Sequence, residues 1–200
     1  GKVKQVGMDL PSTWKIVSPD GTNSAPQVTG SPASTVKIRN LSLKDRNNPV
    51  AGSMLLDTRL TDEFMLAQVQ SAIAEQAAGN TNNGYAGALI QSLVRVTGIT
   101  SHPNDGTVSV EFTDGAATLT LRPSAADGQL QFQAERAALF GVELPKEMSE
   151  AITNSLRESA SKMAGGLNVE SVSVEDKAVA LRLTGTNVNF SEISDNSQQK

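Results

Sequence analysis

The chain has 200 residues, 38% hydrophobic but only 4% aromatic, with one Trp, one Tyr, one His and no cysteine. The missing cysteine excludes disulfides, thiolate zinc sites, iron–sulfur clusters and a cysteine nucleophile, and no run approaches the roughly 18–20 apolar residues that cross a bilayer as a helix. The net charge of −4 is unevenly spread: residues 1–60 hold eight Lys/Arg against four Asp/Glu, residues 61–200 nine against seventeen.

Residues 1–34 read as an irregular segment or linker, with a Pro-, Gly- and Ser-rich stretch, SPDGTNSAPQVTGSPAS, at its end. Trp14 in this part is expected to pack against a core, the common fate of a lone Trp. The sequence opens on Gly rather than Met and shows no signal peptide, so an upstream signal or anchor is expected to have been removed.

A domain is expected over 35–190. TVKIRNLSLKD alternates Val36 and Ile38, then loses phase at Asn40 before Leu41 and Leu43, which predicts a bulge or bend. After an NNP turn, VAGSMLLDTRL reads as a second strand. TDEFMLAQVQSAIAEQAAG is a helix: Thr61 is a good N-cap, Asp62 and Glu63 suit the first turn, and Gly79 ends it. Its apolar stripe runs through Met65, Val69, Ala72, Ile73 and Ala77, with Phe64 and Leu66 widening it. Residues 85–94 are expected as a short helix feeding a strand. TVSVEF, ATLTLRP and QLQFQAE alternate and are joined by Asp114-Gly115 and Asp127-Gly128, which predicts an antiparallel meander with one apolar face. A second amphipathic helix follows Pro145, with a stripe of Met148, Ile152, Leu156, Ala160 and Met163, and stops at Gly165-Gly166. The hairpin LNVESVSVED–KAVALRL closes the domain, and the polar tail 191–200 is expected to be disordered. Strand runs interrupted by amphipathic helices make the chain α+β.

Groups for chemistry are sparse. His102, in TSHPND, reads as a surface turn histidine, and no second His or Cys exists to join it in a metal site. No nucleophile elbow, zinc-protease, Walker or dinucleotide motif occurs. Glu143, Glu147, Glu150 and Glu158 could supply a carboxylate pair for glycoside hydrolysis, but acidic helix surfaces are common without it. No catalytic residue, metal site or cofactor is assigned. A nucleic-acid binder would be basic with interleaved aromatics, so that partner is set aside. The aliphatic, Met-containing helix stripes suit either an ordinary core or a smooth cavity for acyl chains. The basic first part suits either a solvated surface or anionic lipid head groups at a membrane.

The C-terminal half carries further phrases: the DG turn at Asp127-Gly128, GVELP at Gly141, the helix after it, GLNVESVSVED at Gly166 and LTGTNV at Leu183. With these the chain resembles the LmeA-like phospholipid-binding family of actinobacterial cell envelopes, most clearly over 107–190. The resemblance implies an elongated, highly curved antiparallel sheet wrapped around amphipathic helices, of the tubular lipid-binding kind. It also implies an exported, periplasmic or envelope location, a phospholipid or phosphoinositide-type ligand, and a link to glycolipid or mannan maturation. The reading that joins both lines is a non-catalytic lipid-binding or lipid-shuttling protein. Its apolar groove is expected from Phe64, Met65, Val69 and Ile73 of the first helix and Met148, Ile152 and Leu156 of the second, with Lys37, Arg39 and Arg59 as head-group candidates. The rivals are an envelope-assembly scaffold with a filled core and, behind it, an envelope glycan hydrolase.

Overall fold

The computed structural model describes residues 1–18, 26–79, 95–139, 142–143 and 146–191. In chain order these form β1 (Lys2–Leu10), β2 (Lys15–Val17), β3 (Gln27–Thr29), β4 (Ser34–Ser42), β5 (Val50–Thr61) and the helix α1 (Asp62–Gly79). After it come β6 (Val96–His102), β7 (Thr107–Phe112), β8 (Ala117–Ala126), β9 (Gln129–Leu139) and the two-residue β10 (Val142–Glu143). The helix α2 (Lys146–Ala164) and the strands β11 (Asn168–Glu175) and β12 (Ala178–Asn189) complete the described elements. The short helix expected over 85–94, most of the tail 191–200 and part of the Pro/Gly/Ser-rich stretch lie outside the described residues.

The strands make two five-stranded antiparallel sheets, β1-β4-β5-β12-β11 and β10-β9-β8-β7-β6, and a small β2-β3 ribbon. The fold is therefore α+β and mostly antiparallel sheet. The second sheet is the meander read from the sequence, extended by β6 on one side. Asp127 and Gly128, at φ 53° and 71°, form its β8–β9 turn, the left-handed pair that matches the twist of the flanking strands. At Asp114-Gly115 the connection is a 3₁₀ turn with Thr113 and Asp114 left-handed.

The first sheet is assembled from both ends of the chain. Its central pairing, β5 with β12, runs from Thr61↔Ala178 to Val50↔Asn189. β1 pairs with β4 from Lys2↔Ser42 to Leu10↔Ser34, so the stretch read as irregular contains a nine-residue edge strand. Its Lys residues and Gly7 dilute the apolar alternation of Val6, Met8 and Leu10, a composition common on sheet edges. The β4–β5 turn is tied by the Asp45 carboxylate, which accepts from the Asn48 side chain at 2.8 Å and the Asn47 N–H at 2.9 Å. These two bonds hold the Asp45 carboxyl below the ordinary carboxylate range, the Asn48 bond contributing most. Ser191, expected as the start of the loose tail, donates its hydroxyl to Asn48 Oδ1 at 2.6 Å.

Both sheets and both helices share one core. Phe64, Phe112, Leu119 and Leu121 are fully buried in it, and Val179, Leu181 and Leu183 bring in the first sheet. α1 packs on β6, α2 on β9, and β11 crosses against β8. The Val169 N–H donates to the Gly128 carbonyl at 2.9 Å, which ties the first sheet to the second at the β8–β9 turn. Thr61 caps α1 as expected, accepting the Phe64 N–H at 3.2 Å. A smaller cluster of Val36, Ile38 and Ala51, joined by Leu41, Met54 and Val188, fills the far part of the first sheet.

Candidate functional site

Phe64, Met65 and Val69 are buried in the shared core, and Leu156 of α2 packs against the same cluster half-buried. Side chains from two helices separated in sequence by β6 to β10 thus meet on the apolar face of the second sheet. The side chains of Ile73, Met148 and Ile152 lie outside the described residues. Met163, expected on the α2 stripe, is 39% exposed, because the buried row continues from Ala160 to Ala164, four residues on. Trp14 packs edge-on against Phe64, ring centroids 5.5 Å apart, so the β2–β3 region closes over α1.

A cleft of about 250 Å³ opens onto this core between α2, the β8–β9 turn and the start of β11. Leu130, Ala160, Leu167 and Val169 form its apolar part, and Asp127, Gln129, Arg157, Ser161 and Asn168 its polar part. α2 contributes Arg157, Ala160, Ser161 and Ala164. These stand at helical spacing i, i+3, i+4 and i+7, so they share one face. Of the four, only Ala160 belongs to the apolar stripe legible in the sequence, because charged and small polar residues carry little weight in hydrophobic periodicity. Their signal was the Ala-Ser-Ala spacing running into Gly165-Gly166. Arg157 donates to Asn154 Oδ1 at 3.1 Å from one of its nitrogens. The cleft is smaller than the roughly 300–1,000 Å³ of drug-sized ligand pockets, so it admits one end of a larger molecule rather than the whole of it.

The three head-group candidates lie elsewhere. Lys37 and Arg39 are exposed on β4, opposite Gly7 and Gln5 of β1 and opposite Leu55 and Ser53 of β5. That face is turned away from Val36 and Ile38, which point the other way by strand alternation. Arg59 is in an ion pair with Glu175 at 2.8 Å. It lines an open groove of about 540 Å³ on the first sheet together with Asp57, Arg182, Ser171 and Ser173. Arg182 is likewise held by Asp57, with bonds of 2.8 and 3.2 Å. The groove's guanidinium groups are matched by carboxylates, and the structure does not bring Lys37, Arg39 or Arg59 to the α2 cleft.

His102 is the last residue of β6 rather than a loop residue, with Nε2 2.8 Å from Ser109 Oγ. Glu150 and Glu158 of α2 are exposed, and the side chains of Glu143 and Glu147 lie outside the described residues. Among the described residues no group of three His, Asp or Glu is placed to hold a metal ion. Among the same residues, no helix is long and apolar enough to cross a membrane.

The family model described as LmeA-like phospholipid-binding matches residues 15–184. That span includes β2 through most of β12, the shared core and the α2 cleft. No curated protein and no solved structure matches the chain at a significant level.

Proposed function

The chain belongs to the LmeA-like phospholipid-binding family, and we propose that it acts as a non-catalytic phospholipid carrier whose ligand enters through the α2 cleft. The observation that carries the reading is the position of the cleft. Its apolar part, Leu130, Ala160 and Val169, belongs to the same cluster as Phe64, Met65 and Val69. A chain end passing the polar mouth meets Leu130, Ala160, Leu167 and Val169, and each CH₂ withdrawn from water contributes about 0.8 kcal/mol. Arg157, Gln129, Ser161 and Asn168 at the same opening offer donors to a phosphodiester. Going deeper requires α2 to part from β9 and admit the chain between the helices and the sheet. That is the tubular arrangement proposed for the loaded state.

The family relationship supports a phospholipid, and a phosphoinositide-type lipid is the narrower ligand we propose. We further propose that the protein works outside the cytoplasmic membrane in a bacterial envelope, moving lipid in support of glycolipid or mannan maturation. Trp14 against Phe64 provides the test. A phospholipid bearing a parinaroyl chain, titrated into the protein, should quench Trp14 by energy transfer in a saturable 1:1 manner and should be displaced by unlabelled phospholipid. Absence of saturable transfer, with the protein folded, would leave a filled core with a scaffold role.

A further inference from the structure

We infer that the β1–β4 edge of the first sheet docks the protein onto an anionic bilayer surface. The inference deepens the carrier reading, since a carrier must exchange lipid with a membrane, but it rests on a different part of the molecule. Of the seven large hydrophobic side chains that stand exposed among the described residues, six belong to residues 1–43. Val3, Met8 and Leu10 lie on β1 itself, at 36%, 42% and 46% exposure, and Leu43 follows β4 at 39%. The register spreads them along the whole edge: Leu43, whose N–H donates to the Gly1 carbonyl at 3.0 Å, stands at one end, and Met8, paired with Val36, and Leu10, paired with Ser34, stand toward the other.

The same two strands hold the positive charge. Lys2, Lys4, Lys37 and Arg39 are exposed on them and Lys44 just past the end of β4, with Lys37 across from Gly7 and Arg39 across from Gln5. Residues 1–46 contain seven Lys/Arg against three Asp, in a chain whose net charge is −4. By alternation Met8 and Leu10 share the Val36 face of this edge and Lys37 and Arg39 the opposite face, so an edge-on approach of β1 brings apolar tips from one face and bases from the other to an interface where acyl boundary and anionic head groups lie within a few ångströms. The mode is shallow. β1 is an edge strand, and its outward N–H and C=O groups can bond to head groups and water but cannot enter hydrocarbon unpaired.

Arg59, Arg122, Arg136, Lys162 and Arg182, exposed elsewhere, do not form such an edge. Arg59 and Arg182 are matched by Glu175 and Asp57, and Arg122 by Glu135. Lys162 and Arg136 sit on α2 and β9 of the other half of the fold. Binding should therefore depend on where a base is removed and not only on how many remain.

The test is co-sedimentation of the whole protein with vesicles of phosphatidylglycerol and phosphatidylcholine, against phosphatidylcholine alone. Binding to the anionic vesicles is expected and should be lost on raising the salt. Each base near the surface is worth about fivefold in partitioning (about 1 kcal/mol), so Lys37→Gln/Arg39→Gln should weaken it by about thirtyfold. The charge-matched control Lys162→Gln/Arg136→Gln should change it by less than about threefold on the same scale. Met8→Ser/Leu10→Ser should weaken it in low salt while leaving thermal stability in place. Equal binding to neutral vesicles, or equal loss in the control, would overturn the assignment. So would a dimer, in the absence of vesicles, that the β1 variants abolish, because the edge would then belong to a second copy. A protein that pellets with vesicles yet carries no extractable lipid keeps the docking edge and removes the carrier reading. One that carries lipid but never pellets does the reverse.

Discussion

Asn40 of β4 and Asn187 of β12 stand on either side of Gly52 in β5, and both take the left-handed backbone conformation, at φ 54° and 51°. The pairing register does not shift across this row: Arg39↔Ser53 and Leu41↔Ala51 keep step, as do Thr186↔Ser53 and Val188↔Ala51. No residue is inserted, so three strands turn together rather than one bulging. Beyond the row, Leu41, Ala51 and Val188 join Val36 and Ile38 in one cluster although strict alternation would put them on the opposite face. The phase loss visible at Asn40 in the sequence is thus one third of a bend across the sheet.

This row sets the first prediction. A Cβ on Gly52 would stand 2.9 Å from the Asn40 Cβ, so Gly52→Ala should destabilise by about 1–3 kcal/mol through overpacking. Asn40→Val and Asn187→Val should each cost about 1–2 kcal/mol or more, because a β-branched side chain resists the left-handed region. Asn40→Gly should be neutral or stabilising. Thermal unfolding followed by circular dichroism reads these as shifts of about 2–4 °C per kcal/mol. A Gly52→Ala protein as stable as wild type would show that the row is not tightly constrained.

Asp62 links the two sheets through α1. Its carboxylate accepts the Ser101 N–H at 3.2 Å and the Ser101 hydroxyl at 2.5 Å, while its own N–H donates to the Lys177 carbonyl at 3.0 Å. Ser101 is buried, so its partner cannot be replaced by water without cost. Asp62→Ala should lower stability by about 1.5–3 kcal/mol, the range for hydrogen bonds to a charged group. Asp62→Asn should recover part of that. A urea denaturation series measures both, and equal losses for Ala and Asn would argue against the hydrogen bonds as the cause.

Trp14 and Phe64 join the N-terminal ribbon to the core. Phe64→Ala should cost about 3–5 kcal/mol, and Trp14→Ala, half-buried, less. A double-mutant cycle should return a coupling of about 0.5–1.5 kcal/mol for the edge-on pair. A coupling near zero would mean that the ribbon and α1 are held together by other contacts, such as the Ser71 hydroxyl on the Pro26 carbonyl at 2.8 Å.

Ala164 is half-buried at the cleft, which makes it the place to block entry without emptying the core. Ala164→Trp should abolish uptake of a fluorescent phospholipid while leaving the unfolding midpoint within a few degrees of wild type. Undiminished uptake would move the entrance away from α2.

The sequence carries the local elements well and the long-range ones poorly. The β8–β9 hairpin is legible because Asp127-Gly128 supplies the left-handed pair and Leu119, Leu121 and Leu130 alternate around it. α1 is legible because Thr61 and Gly79 mark its ends. The pairing of β5 with β12 joins strands more than a hundred residues apart, and nothing in either strand names its partner. β1 is hidden because an exposed edge needs only one half-buried residue, Val6, to hold it. At the site, Phe64, Met65 and Val69 stand out by hydrophobic periodicity. Ser161 and Ala164 do not, since what suits them to a cleft is their small size. The distribution of charge was visible at once, but only the β1–β4 register shows that Lys2, Lys4, Lys37 and Arg39 share one edge.

The central claim is that the protein holds a phospholipid, and native mass spectrometry of protein purified from a bacterial envelope, followed by organic extraction, tests it most directly. The account predicts a mass one phospholipid above the chain, lost on extraction and much reduced in Ala164→Trp. A chain at its bare mass that takes up no phospholipid from anionic vesicles would contradict it.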